Sequence, residues 1–85
     1  NFSVSQNYPN PSNGSTSINI TLKKASSINF TVADILGKVV YTEQLDNLAA
    51  GIHTVTLNTG SWAHGVYTYT VRTADNAVTK QMIVK

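Results

Sequence analysis

From Thr16 to Leu22 the chain alternates strictly, with Ile18, Ile20 and Leu22 apolar and Asn19 and Thr21 polar. Ser27 to Asp34 repeats the pattern with Ile28, Phe30 and Val32. A period of two sends successive side chains to opposite faces, so each stretch predicts a strand with one face in a core and one in water. Leu48 to Thr73 then says nearly the same thing twice. Leu48-Ala49-Ala50-Gly51 leads into Ile52-His53-Thr54-Val55-Thr56-Leu57, and Trp62-Ala63-His64-Gly65 leads into Val66-Tyr67-Thr68-Tyr69-Thr70-Val71. His53, Val55 and Leu57 share one face of the first copy. Tyr67, Tyr69 and Val71 share one face of the second, with Thr68 and Thr70 turned away. Gly51 and Gly65 close the turns that launch these strands, since a residue without Cβ is free to take positive φ there.

Phe2 to Gln6 predicts a short first edge strand. Asn7 to Ser15 holds both prolines of the chain and is expected to be a loop, because proline has no N–H for a central ladder. Val39 to Leu45 predicts a strand without a clean face: Val39, Tyr41 and Leu45 share a parity with Glu43, and Val40 takes the other. Asp34-Ile35-Leu36-Gly37 reads as a tight turn, the Asp34 carboxylate accepting backbone N–H groups and Gly37 taking the left-handed position. Ala77 to Val84 is the last strand, with Val78, Met82 and Val84 on one face beside Lys80. Ile83 falls on the other face, open to a partner or packed on the outside of the sheet. Lys80 can lay its methylenes on the core and keep its ammonium wet.

About seven short strands at spacings of roughly 8–12 residues, with no capped helical period, predict an all-β, immunoglobulin-like antiparallel β-sandwich. In that architecture the two copies lie in opposite sheets, Val55 and Leu57 facing Tyr69 and Val71. Tyr67 stands where a tyrosine ties down the corner before the sixth strand. The residues expected to determine the fold are Asp34, Gly37, Gly51, Gly65, Tyr67 and Tyr69.

The chain has 85 residues, the size of one domain spanning 1–85. Charged residues are 12% and the net charge is +2, too small and scattered for a nucleic-acid footprint. Cysteine is absent, which removes disulfides and cysteine-metal sites. No apolar run reaches the roughly 18 residues of a membrane-spanning helix. The chain begins at Asn1 rather than Met, as expected of a piece of a longer protein whose export signal lies upstream.

Little in the sequence points to catalysis. His53 and His64 flank Trp62, but a metal site needs a third ligand converging with them, so both are read as structural. Asp34, Glu43, Asp46 and Asp75 are all the carboxylates, and none pairs with another at a spacing that flanks a bond. No Gly-x-Ser-x-Gly and no phosphate loop occurs. Neither a cofactor nor a metal is expected, and the chain is not read as an enzyme. Trp62, Tyr67, Tyr69, Tyr41 and Tyr8 offer an alternative, a carbohydrate-binding or adhesive sandwich, provided that they stand exposed and coplanar.

Several short motifs occur in a characteristic order: Tyr8-Pro9-Asn10-Pro11, Val32-Ala33-Asp34-Ile35-Leu36-Gly37-Lys38-Val39-Val40, Leu48-Ala49-Ala50-Gly51-Ile52-His53, Gly65-Val66-Tyr67, and Lys80-Gln81-Met82-Ile83-Val84-Lys85. In this order the chain resembles the type A C-terminal sorting domains of the type IX, or Por, secretion system of Bacteroidetes. The resemblance implies an immunoglobulin-like fold and a role as the export tag of a cargo protein joined ahead of it. It implies passage through the periplasm, then the cell surface or the extracellular space. The implied partners are the outer-membrane type IX machinery and a sortase-like cysteine peptidase that removes the tag and joins the cargo to an anionic lipopolysaccharide. Carried over to this chain, recognition falls on Lys80, Met82, Ile83, Val84 and Lys85. An open last strand would offer unpaired N–H and C=O groups for β-addition.

Overall fold

A computed structural model describes residues 2–85, and in it the alternating stretches become strands. They are β1 (Phe2–Val4), β2 (Tyr8–Asn13), β3 (Ser15–Leu22), β4 (Ser26–Asp34), β5 (Val39–Leu48), β6 (Gly51–Asn58), β7 (Gly65–Arg72) and β8 (Ala77–Val84). One sheet has β3 at its centre, with β6 along one side and β1 followed by β2 along the other. The other runs β5-β4-β7-β8, antiparallel throughout. The expected all-β sandwich is present, and β6 and β7 lie in opposite sheets as the repeated pattern predicts.

Two expectations need correction. The Asn7–Ser15 stretch is not a free loop: it carries β2, which brings the strands among the described residues to eight, in keeping with the about seven expected. Nor is every pairing antiparallel, because Ser12 of β2 pairs in parallel with Val84 of β8. The prolines limit how β2 pairs. Pro9 and Pro11 donate no N–H, so β2 forms no continuous ladder. It touches β3 only through Tyr8↔Ser17 and Asn13↔Ser15, with an irregular register between them, and then crosses to β8.

The core fills as period two requires. Ile18, Ile20, Leu22, Val55 and Leu57 come from one sheet, and Ile28, Phe30, Val32, Tyr69, Val71, Met82 and Val84 from the other. β5 is the weaker wall. It runs on to Leu48, beyond the expected Leu45, and Val39 and Val40 are exposed. Tyr41, Leu45 and Leu48 pack on the core from its edge. Glu43 is tolerated on the same face because the Tyr41 hydroxyl donates to its carboxylate at 2.7 Å.

The N-terminal segment is held by buried polar bonds. The Tyr69 ring is fully buried, and its hydroxyl donates to the Ser5 carbonyl (2.9 Å) and accepts from the Asn7 N–H (3.0 Å). The Asn7 amide donates to Thr16 Oγ1 (3.1 Å), and the Thr16 hydroxyl donates to the Pro9 carbonyl (2.9 Å). Ser12 and Thr59, both buried, share a hydroxyl–hydroxyl bond of 2.6 Å. Among the described residues every buried side-chain polar atom has a partner, as a stable interior demands.

The sandwich has two distinct ends. At one lie Phe2 beside Leu22, Leu22 beside Gly51, and Ser26 beside Leu48. At the other lie Ser15 beside Asn58, Gly65 beside Val84, and the β4–β5 turn.

Candidate functional site

The last strand separates its residues by parity. Met82 and Val84 are buried, so their side chains are part of the core. Lys80 is half-buried opposite Tyr69, and Lys85 is exposed. Ile83 is exposed on the outer face beside Val66.

The strand does not present the open edge expected of it. Alternate residues of an antiparallel strand direct their N–H and C=O groups away from the partner, and over the C-terminal half of β8 three of those groups have partners in the N-terminal segment. The Gln81 carbonyl accepts from Gln6 Nε2 at 2.7 Å, and the Ile83 N–H donates to Asn10 Oδ1 at 3.1 Å. The Lys85 N–H donates to the Ser12 carbonyl at 2.9 Å. The N-terminal segment therefore caps the edge where β-addition was expected. What the strand offers there is side chains.

A second feature adjoins it. Asp34 closes the β4–β5 turn: its Oδ1 accepts from the Leu36 N–H (2.9 Å) and the Lys38 N–H (3.0 Å), and its carbonyl accepts from the Gly37 N–H (3.0 Å). Gly37 has φ 86°, where a side chain would be strained. The tight closure uses up the polar groups of the turn and lifts Ile35 and Leu36 into water, 77% and 89% exposed. Asp34 pairs with Tyr67, so the turn lies next to Val66, and Val66 pairs with Ile83. The apolar residues thus continue across three strands. Between the turn and the Ala63–Val66 segment is a depression of about 260 Å³. Val39, Val40 and Tyr8 are also exposed toward this end; among the described residues the other large exposed apolar side chain, Ile52, is at the far end. Lys38 and Lys85 stand at this end as well, whereas Asp46 and Asp75 belong to the far end.

Sequence reasoning reached Ile83 and missed Ile35, Leu36 and Val66. The available signal was two consecutive apolar residues inside a four-residue turn, where burial is geometrically difficult.

The remaining candidates make contacts within the fold. The Tyr67 hydroxyl donates to the Ala63 carbonyl at 2.7 Å, the expected corner bond, and the Trp62 ring packs 5.2 Å from the Tyr67 ring. The His53 ring bonds the Ala49 carbonyl through Nε2 at 2.7 Å, across the β5–β6 turn. Gly51 and Gly65 are the first residues of β6 and β7, both at positive φ. Among the described residues no three His, Asp or Glu side chains converge on a metal position. A sugar-stacking platform is not formed either. Tyr67 and Tyr69 are buried, Trp62 and Tyr41 are half-buried against the core, and of the five aromatics considered Tyr8 alone is exposed.

No curated protein matches the chain. A family model described as "Secretion system C-terminal sorting domain" matches residues 6–85.

Proposed function

We propose that this chain, which belongs to the family of type IX (Por) secretion system C-terminal sorting domains, carries a longer cargo protein joined ahead of it from the periplasm across the outer membrane as a folded, non-catalytic tag. As a C-terminal sorting signal it marks its cargo for the cell surface or the extracellular space. The outer-membrane machinery reads the folded surface, and a sortase-like cysteine peptidase then removes the tag and attaches the cargo to the cell surface. The source is a member of the Bacteroidetes and the tag is of type A.

The observation that carries this reading is the state of the last strand. Its backbone edge is capped by Gln6, Asn10 and Ser12, while Ile83 and Lys85 remain exposed on a fixed scaffold. A tag that must be read while folded needs side chains held in place. Of the tail residues, Met82 and Val84 anchor the strand, and Lys80, Ile83 and Lys85 meet the receptor.

The test is to fuse the 85 residues to the C-terminus of a periplasmic fluorescent protein in a host with type IX secretion, and to fractionate cells and medium. Fluorescence at the surface or in the medium, absent from a secretion-defective strain, is the expected result. Intact fusion retained in the periplasm would refute the sorting role. A Lys80→Ala, Ile83→Ser, Lys85→Ala variant that folds and is exported like the parent would remove the tail from recognition.

A further inference from the structure

We infer that the end of the sandwich built around the β4–β5 turn is a protein-docking surface, on which the apolar strip of Ile35, Leu36, Val66 and Ile83 is covered by a receptor that inserts an apolar side chain beside the turn and presents an acidic rim to Lys38 and Lys85. The inference rests on the sorting reading and extends it beyond the tail, to residues of β4–β5 and β7.

Three observations carry it. Nearly all of the large apolar side chains left in water gather at one end, whereas single exposed apolar residues elsewhere on a surface need no explanation. The turn that raises Ile35 and Leu36 is rigidly closed by four bonds between Asp34 and the Leu36, Gly37 and Lys38 main chain. A preorganised turn loses little freedom when it is covered, which favours tight docking. Finally, the strip borders a concavity of about 260 Å³ lined by Leu36, His64, Val66 and Tyr67. A concavity beside a projecting apolar pair is the shape of an anchor pocket.

The same features decide the occupant. A lipid surface is broad and cannot fill a depression of about 260 Å³ walled by a rigid turn. A second copy docked about a two-fold axis would set the same basic rim against itself. The acidic side chains that could answer those lysines are engaged or elsewhere: the Asp34 oxygen is turned onto its own turn, Glu43 accepts from the Tyr41 hydroxyl, and Asp46 and Asp75 are at the far end. A protein with an apolar knob and carboxylates around it satisfies both the shape and the charge.

The test uses the fluorescent fusion and three variants: Ile35→Ser with Leu36→Ser, Leu36→Asp alone, and Ile52→Ser at the far end. All lie at exposed positions, and melting of the purified tags checks their folding. Loss of two central anchors should reduce export about tenfold or more. Leu36→Asp, which adds a charge facing the acidic rim, should do the same, with melting unchanged for both. Ile52→Ser should be exported like the parent. Parental export by the two turn variants would overturn the inference while leaving the sorting role intact. If the parent fusion itself stays in the periplasm, the sorting role and the docking surface fall together. The purified parent tag should neither sediment with phosphatidylglycerol vesicles nor dimerise. Vesicle binding abolished by the Ile35→Ser, Leu36→Ser change would assign the strip to lipid instead. A dimer abolished by the same change would assign it to a second copy.

Discussion

The Tyr69 ring lies inside the core while its hydroxyl holds the main chain of Ser5 and Asn7, so one side chain fastens both the packing and the N-terminal segment. Replacing it with alanine should cost about 3–5 kcal/mol in a denaturant melt, the usual loss for a large buried aromatic. Tyr69→Phe keeps the ring but leaves the Asn7 N–H without its acceptor, and should cost about 1–2 kcal/mol. Burial of Tyr69 raises its pKa above the ordinary 10.0, the bond from Asn7 opposing this in part. The bond from Tyr41 to Glu43, then burial, then the carboxylate charge raise Tyr41 in the same direction. Phenols raised on folding ionise first in the unfolded chain, so their contribution is complete below pH 10 and is lost as the pH climbs beyond it. Melting temperature should fall above that pH, and Tyr69→Phe should lessen the fall. Asp34 acts through the backbone, and Asp34→Ala should cost about 1 kcal/mol by releasing the Leu36 and Lys38 amides.

Among the elements, β2 and β8 depend on each other most. Asn10→Ala should free the Ile83 amide, and hydrogen exchange at that amide should accelerate while the Met82 amide, turned toward β7, keeps its protection. Such a variant would also have part of the open edge that the parent chain lacks, and should associate more readily in light scattering. How legible an element was depended on whether its determinants were local. In β3, β4, β6 and β7 each residue announces its own face, because a half-buried strand writes its environment into a period of two. β8 was readable for the same reason, including the outward Ile83. β2 was not readable, since its place is decided by Ser12 meeting Val84 and Thr59, residues distant in sequence, and its prolines carry the signature of a loop. β5 was only half readable: Glu43 sits on the inward parity because Tyr41 supplies a hydroxyl, and neither residue shows this by itself. The apolar strip was invisible for a related reason. Ile35 and Val66 become neighbours only through the Asp34–Tyr67 register, which no local pattern specifies.

For the molecule as a whole, the N-terminal segment is as much a structural part as any strand. Deleting residues 1–7 would strip both partners from the Tyr69 hydroxyl and uncover the edges of β3 and β8 together. The shortened chain should melt at markedly lower temperature and scatter light on storage, as read by circular dichroism and light scattering. The placement of Phe2 has a further consequence. It lies beside Leu22, at the end of the sandwich opposite the β4–β5 turn. A protein joined ahead of Phe2 therefore leaves from the far pole of a molecule 35 Å along its longest axis, outside the steric shadow of the docking end. The tag would work as a handle gripped at one end with its load trailing from the other. Under this geometry the bulk of the load lies away from the grip, and lengthening the leash between them should leave capture by the receptor unchanged.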